Sequence, residues 1–346
     1  MSITRMIRRI YLTMKLHNSR TIILLSIILF FAINWSVNKN IYAQEAETRA
    51  TIEIGSLKGP TTMGMVKLMN DSEQGLTRNN YQVSMYGTAD EIVTGIVSGK
   101  IDAAAVPCNL SSVLYNKTKG QVLVTAINTL GVLYLVESGN SVQSVGDLKG
   151  KTIYSTGKGT TPEFALNYIL TQNGLEPGKD VTIEYKSEST ELAVLLGQSD
   201  NMIALLPQPY VTAVQMKNEK VRIALNLSDE WNKVSTDSAL VTGCVVAQKD
   251  FIEKSPEVFE QFMTDYYNST QYVNSNIESA AELIAKYEIV AAAPIAVKAL
   301  PYCNITFITD DEMEKKLNGY LQVLFDANPQ SIGGKMPDEA FYFKAK

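Results

Sequence analysis

The chain has 346 residues, 45% of them hydrophobic, and a mean hydropathy of −0.02. With only 11 prolines and 21 glycines, this composition excludes a disordered chain, a collagen-like rod and a protein with many membrane spans. At roughly 150 residues per domain, the length favours about two domains, each able to bury a core.

The formal net charge is −5, but the charge is unevenly distributed. Six of the 31 lysines and arginines lie in the first 43 residues, which contain no acidic residue. The remainder therefore carries 25 basic residues against 36 acidic residues. An acidic body repels polyphosphate, so no nucleic-acid partner is expected.

The N-terminal segment has the pattern of an export signal. A basic stretch through Arg20 precedes the apolar run 21–35, and Ala43 stands at a plausible cleavage position. The run is shorter than the about 20 residues that a membrane span needs. We therefore predict that residues 1–43 are a signal peptide, and the alternative is an uncleaved anchor through residues 21–35. Either way the body is expected to be exported, to the periplasm or the cell surface.

Strands and helices alternate in the first part of the body. Residues of alternating polarity predict the strands, and apolar residues three or four apart predict the helices. The predicted elements are strands at 50–56, 81–85 and 101–106 and helices at 63–69 and 92–97, followed by apolar runs at 122–127 and 132–136.

The same alternation continues in the second part, so the chain reads as two similar α/β halves. The predicted elements are strands at 151–155, 181–185, 202–206, 221–225 and 239–247, and helices beginning near 162 and at 192–196. Beyond residue 247 only helices are predicted, at 256–274, 277–287 and 310–326. This order favours a parallel sheet with helices on its faces.

Cysteine and histidine usage limits the possible chemistry. Cys108, Cys244 and Cys303 are widely spaced and form no CxxC motif, so we expect small buried hydrophobic residues and neither a disulfide framework nor a zinc site. The only histidine, His17, lies in the leader. The body cannot use an imidazole as a base or as a metal ligand. No catalytic residue, metal or cofactor is predicted.

The predicted ligand site consists of four loops at strand ends, residues 58–63, 87–90, 105–109 and 156–163. In open α/β sheets, ligands bind beyond the carboxyl ends of the strands. Glycine allows close approach, hydroxyl groups form hydrogen bonds, and amides at helix starts favour an anion. The alternative is that the threonines only cap helices. The predicted ligand-binding residues are Gly59, Pro60, Thr61, Thr62, Gly87, Thr88, Pro107, Gly159, Thr160, Thr161 and Pro207.

Other features of these loops are less specific. The glycine-containing segments 146–152 and 157–160 lack the spacing of a phosphate loop, so ATP binding is not expected. Lys58 and Lys158 could neutralise a ligand, although solvated lysines are the commoner case. Four tyrosines could stack on a flat ligand or simply pack against the protein, namely Tyr86, Tyr134, Tyr154 and Tyr210.

Three segments carry a resemblance to a known family. Residues 96–107 (IVSGKIDAAAVP), 144–151 (SVGDLKGK) and 204–210 (ALLPQPY) resemble, in order, motifs of ABC-transporter substrate-binding proteins. The most similar group binds sulfonates, taurine, nitrate and thiamine precursors, and the resemblance extends from about Ala50 onward. Gln208 stands where that group often has an acidic residue, and no lipoprotein cysteine follows the apolar run.

The resemblance implies a two-lobed type II periplasmic-binding-protein fold, each lobe a mixed, mainly parallel sheet flanked by helices, with two hinge crossovers. On this chain, residues 50–136 and 241–346 would form one lobe, with a helical C-terminus, and residues 137–240 the other. The crossovers would lie at 132–136 and 240–245.

The resemblance also implies a function. The chain would be an extracytoplasmic substrate-binding protein of an ABC importer, not an enzyme. As a monomer it would capture a small polar or anionic organic solute, of the sulfonate, nitrate, carboxylate or pyrimidine type. Its partners would be this ligand and the permease and ATPase subunits, with membrane association through the permease or an uncleaved N-terminus. An enzyme on the same fold, similar to thiamine-precursor synthases, and a ligand-sensing ectodomain remain alternatives.

Overall fold

The structure is a computed structural model, and it describes residues 49–235 and 238–344. The predicted signal peptide or anchor, residues 1–43, lies outside the described residues. Within the described part of the chain, no helix combines the length and the apolar character needed to cross a bilayer.

Six strands form the first sheet. They are β1 (Thr51–Leu57), β2 (Asn80–Tyr86), β3 (Ala103–Pro107), β4 (Val122–Leu130), β10 (Val241–Gln248) and β11 (Ile305–Ile308). Their order across the sheet is β11-β4-β10-β3-β1-β2. β1 runs parallel to β2 and β3, whereas β10 is antiparallel to both β3 and β4. We call this sheet and its helices the first lobe.

Five strands form the second sheet. They are β5 (Leu133–Glu137), β6 (Thr152–Ser155), β7 (Thr182–Tyr185), β8 (Ile203–Pro207) and β9 (Arg222–Asn226). Their order is β7-β6-β8-β5-β9, with β6 parallel to β7 and β8 and with β5 antiparallel to β8 and β9. We call this sheet and its helices the second lobe.

Both sheets are mixed, as predicted. Among the described residues, however, the five antiparallel ladders slightly outnumber the four parallel ones. The chain leaves the first sheet after β4 and returns to it with β10. The expected crossover segments 132–136 and 240–245 fall largely within β5 and β10, so the chain changes sheet a few residues earlier at both places.

Thirteen helices accompany these strands in the described residues. They are α1 (Pro60–Met63), α2 (Val66–Glu73), α3 (Ala89–Val97), α4 (Cys108–Lys117), α5 (Thr161–Gln172), α6 (Ser189–Gln198), α7 (Tyr210–Lys217), α8 (Leu227–Val234), α9 (Lys249–Lys254), α10 (Pro256–Ser275), α11 (Ile277–Lys286), α12 (Ala293–Ala299) and α13 (Asp310–Ala327). The expectation of helices only beyond residue 247 is wrong, because β11 pairs with β4 at the edge of the first sheet.

The spacing of apolar residues along α10 explains how this helix packs against the first sheet. Its Phe259, Phe262 and Tyr266 are three and four positions apart and are at most 1% exposed. This spacing places them on one helix face. The three rings belong to a single buried cluster with Ile52, Ile54 and other residues of the first sheet. The apolar face thus fixes α10 against the lobe that begins the fold.

An aromatic cluster joins the two lobes away from the strand ends. Trp231 of α8 is fully buried, and its ring centroid lies 4.8 Å from that of Tyr168 in α5 and 5.5 Å from that of Tyr320 in α13. The Tyr320 hydroxyl also donates to Thr161 Oγ1 at 3.2 Å. Because α13 follows β11 of the first sheet, this core ties that lobe to helices of the second.

The expectation that all cysteines serve only as buried hydrophobic residues is wrong for two of them. Cys108 and Cys244 form a disulfide, with Cα atoms 5.1 Å apart, although they are 136 positions apart in sequence. Antiparallel pairing of β3 with β10 brings them together, since Pro107 lies opposite Gly243. Cys303 is free and buried, and burial raises the pKa of its thiol to about 12.

Candidate ligand-binding site

A cavity of about 290 Å³ lies between the two lobes, where strand ends from both sheets converge. Three strands of each sheet contribute the residue at, or directly after, their carboxyl end. These residues are Lys58, Gly87 and Pro107 from the first lobe and Thr156, Lys186 and Pro207 from the second. This is the position at which open α/β sheets bind ligands.

Seven of the eleven residues predicted to bind a ligand line this cavity. They are Pro60, Thr61, Gly87, Thr88, Pro107, Thr160 and Pro207. They come from both halves of the sequence, which the fold brings face to face. The loops predicted from strand ends therefore line one common cavity.

The other four predicted residues do not line the cavity. The Thr62 hydroxyl is buried and donates to Ser56 Oγ at 2.7 Å, and Thr161 accepts the hydrogen bond from Tyr320. Gly59 has a φ of 143°, which few residues other than glycine adopt, and its carbonyl accepts the Thr62 amide at 3.0 Å. The Gly159 carbonyl accepts from Asn109 Nδ2 at 3.2 Å. These four residues support the cavity wall from outside it.

Three of the threonine hydroxyl groups on the cavity wall, those of Thr61, Thr88 and Thr160, already donate to protein atoms. Thr61 Oγ1 donates to the Leu57 carbonyl at 3.0 Å, and Thr160 Oγ1 donates to the Gly157 carbonyl. Thr88 Oγ1 lies 3.3 Å from Glu91 Oε2. Neither Thr88 nor Thr160 caps its helix through the side chain. The alternative of simple helix capping is therefore wrong for Thr88, and the Thr88 and Thr160 hydroxyls keep only acceptor capacity for a ligand.

Several cavity residues were not predicted. The loop after β7 contributes Lys186, Ser187, Glu188 and Ser189. It occupies the same place in the second lobe as loop 87–90 occupies in the first, so the similarity of the two halves could have revealed it. Thr129 of β4 and Thr242 of β10 also line the cavity, but no turn or spacing signal marks these two positions.

The charged groups of the cavity are mixed in sign. Lys58, Lys158 and Lys186 line it together with Asp90 and Glu188. Within the described residues, none of the three lysines takes part in a salt bridge. The Lys158 and Lys186 ammonium groups lie 5.8 Å and 5.5 Å from the ring centroids of Tyr185 and Tyr154, within the range of cation–π attraction.

The N-termini of helices add positive electrostatic potential to that of the three cavity lysines. The helices α3, α5, α6 and α7 begin at the cavity, and none has a side-chain hydrogen bond at its N-cap. Amides of a first helical turn carry partial positive charge. Together with the ammonium groups of Lys58, Lys158 and Lys186, they favour a ligand with acceptor oxygen atoms or negative charge.

The two lobes touch at the cavity mouth. The Tyr210 hydroxyl of the second lobe donates to the Lys58 carbonyl of the first at 3.2 Å, and burial raises the pKa of Tyr210. A Cβ atom on Gly87 would overlap the Glu188 carboxylate.

The Gln208 side chain does not line the cavity, and its Oε1 accepts from the Thr212 hydroxyl at 2.8 Å. The described residues contain no cluster of three or more histidine, cysteine or acidic side chains suited to a metal ion.

Comparisons with known proteins agree with this architecture. Residues 120–280 match the protein family described as NMT1/THI5 like. The match includes the cavity loops of the second lobe and Thr242 but not the loops 58–61 and 87–90. A search of curated proteins gives no match.

Solved structures share the fold at low sequence identity. An ABC transporter protein from Parabacteroides distasonis is 21% identical, with a TM-score of 0.70 over 86% of this chain and 100% of that one. The aliphatic sulphonate binding protein SsuA from Escherichia coli is 16% identical, with a TM-score of 0.67 over 86% and 94%. The nitrate-binding protein NrtA from Synechocystis is 13% identical, with a TM-score of 0.57 over 77% and 75%. The chain therefore has the two-lobed α/β fold of periplasmic binding proteins, as the sequence resemblance implied.

Proposed function

We propose that this chain is an extracytoplasmic substrate-binding protein of an ABC importer. It captures a small polar or anionic organic solute between its lobes and delivers the solute unchanged to a permease. The observation that carries the proposal is the cavity between the lobes, built from the carboxyl ends of six strands and lined by Lys58, Lys158 and Lys186. Its volume of about 290 Å³ suits a small molecule.

The chemistry of the wall supports binding without turnover. The sequence contains no histidine after His17, so the cavity holds no imidazole for proton transfer. Helix-start amides and ammonium groups stabilise a bound anion without forming a covalent bond to it. Structures of the same fold carry the names of sulphonate and nitrate binders, and sulfonate, nitrate, carboxylate and pyrimidine solutes are the candidates.

Calorimetry with a defined panel tests the proposal. The panel contains ethanesulfonate, taurine, nitrate, succinate and a hydroxymethylpyrimidine, with choline as a cationic control. We expect saturable binding of one class at one molecule per chain, no binding of choline, and recovery of the compound unchanged by mass spectrometry. Comparing taurine with ethanesulfonate shows whether Asp90 and Glu188 engage an ammonium group. No binding of any class to the folded protein would contradict the proposal, and a chemically altered product would favour the enzyme.

A further inference from the structure

One cavity residue, Thr242, occupies an irregular position in its strand. In the β10–β4 ladder, Val241 lies opposite Leu130 and Gly243 lies opposite Thr129. Thr242 therefore lies at a register shift on β10, and Asn128 lies at a compensating shift on β4 one step further along the ladder. Such bulges re-aim a side chain and are frequent beside functional sites. Here the re-aimed side chain lines the cavity.

The neighbouring glycine holds this bulge in place. A Cβ atom on Gly243 would come within 2.6 Å of Asn128 Oδ1 and 2.8 Å of Thr61 Cγ2. Only glycine allows β10 to pack this closely against the wall that carries Thr61. The close approach fixes the backbone next to Thr242 relative to β4 and to helix α1.

The Thr242 hydroxyl differs from the other buried hydroxyls of the cavity. Its oxygen is shielded from solvent and has no hydrogen-bond partner among the described residues. In contrast, Thr61 and Thr160 donate to backbone carbonyls, and Thr129 Oγ1 lies 3.2 Å from Asn128 Oδ1. A buried hydroxyl without a partner is uncommon and calls for a physical reason. A ligand that supplies the missing partner is such a reason.

We propose that the Thr242 hydroxyl donates a hydrogen bond to an acceptor oxygen of the bound solute and thereby determines specificity. This inference rests on the proposed function and deepens it. A 120° change in χ1 exchanges the hydroxyl and methyl positions of threonine between staggered wells, so the hydroxyl can turn to the solute. Because the Thr61 and Thr129 hydroxyls of the first lobe already donate to protein acceptors, Thr242 supplies the buried hydroxyl donor of that lobe.

The variant Thr242→Val removes the hydroxyl and keeps the shape. We expect whichever of ethanesulfonate, taurine, nitrate or succinate binds the wild type to bind T242V about 10- to 100-fold more weakly. T242S, which keeps the hydroxyl, should bind within about threefold of wild type. Thr264→Val, on an exposed face of α10, is the matched control and should leave the dissociation constant unchanged.

A second readout needs no ligand. If the hydroxyl has no partner in the free protein, T242V should unfold at the same temperature as wild type or higher, whereas Thr129→Val, which breaks a bond to Asn128, should unfold at a lower one. Wild-type affinity in T242V, or a loss of stability in T242V equal to that of T129V, would overturn this inference alone. Failure of every probe to bind the wild type would overturn the proposed function and this inference together.

Discussion

The two walls of the cavity are built differently. On the first lobe, Asn128 is 2% exposed, and its Nδ2 donates to the Thr61 carbonyl at 3.1 Å and to the Tyr266 hydroxyl at 2.9 Å. On the second lobe, the wall is formed by the loops 156–160 and 186–189, which carry Lys158, Lys186 and Glu188. A buried hydrogen-bond network lies behind the first wall, which carries Lys58 and Asp90 at its surface, whereas the second wall consists of loops with two lysines and a glutamate.

This difference assigns separate tasks to the lobes. A satisfied buried network holds polar groups in one geometry, because any displacement leaves a buried group unpaired. Exposed ammonium groups attract an anion over a longer range, and salt screens that attraction. We infer that the first lobe determines the shape of the recognised group, and that the second lobe, with two of the three cavity lysines, supplies most of the positive charge that attracts it.

The largest effect on stability is expected from removing the disulfide beside the first wall of the cavity. Cys108 follows Pro107 and Cys244 lies two positions after Thr242, so the disulfide joins the first residue of α4 to β10 beside two cavity residues. Replacing both cysteines by alanine should lower the free energy of unfolding by about 2–5 kcal/mol, since the bridge closes a long loop. Urea unfolding followed by circular dichroism measures this.

Reductant provides the control for the disulfide. It should destabilise the wild type and leave the double variant C108A/C244A unchanged. Superimposable unfolding curves for the two proteins, or three reactive thiols in the unfolded, unreduced wild type, would show that the bond is absent.

The next effect is expected in the buried network. Asn128→Ala leaves the Thr61 carbonyl and the Tyr266 hydroxyl with fewer partners and should cost about 2–3 kcal/mol of unfolding free energy. Asn140→Ala is the control, because Asn140 is exposed and accepts one bond from Gln143. Equal stability of the two variants in thermal unfolding would mean that the first wall is no more rigid than the surface.

The smallest effect on stability, but a clear one on binding, is expected on the second wall. Lys158→Gln with Lys186→Gln should change the unfolding free energy by less than about 0.5 kcal/mol, as surface substitutions do. Affinity for an anionic probe should fall about five- to tenfold at low salt, and the salt dependence of binding should become shallower.

Two exposed lysines serve as the control pair for that measurement. Lys179 and Lys254 pair with Glu176 and Asp250 away from the cavity, and changing both to glutamine should leave binding unaltered. If both double variants weaken binding equally, overall charge acts and the cavity lysines have no special role.

Much of the α/β pattern could be predicted from the sequence, because many helices bury one apolar face and strands that are buried on both sides, such as β3, are apolar runs. The helix α4 and the strand β11 were missed for physical reasons. Residues 108–117 contain several buried polar residues, among them Asn109, Ser111 and Ser112, which blur a hydrophobic face. β11 has only four residues, too few to show alternation.

The site could be predicted only in outline. Strand ends followed by glycine, proline and threonine indicated the loops, and seven predicted residues line the cavity. Local sequence does not tell whether a threonine faces the cavity or, like Thr62 and Thr161, the protein behind it. Nor does it reveal Thr242 or the pairing of Cys108 with Cys244, since both depend on how β10 aligns with strands more than 100 residues earlier.

A crystal structure with the tightest compound of the calorimetry panel tests the central claim most directly. We expect one molecule in the cavity between the sheets, with hydrogen bonds or charge contacts to both lobes, including Thr242 on one side and Lys158 or Lys186 on the other. A molecule bound elsewhere, or one that contacts a single lobe only, would contradict it.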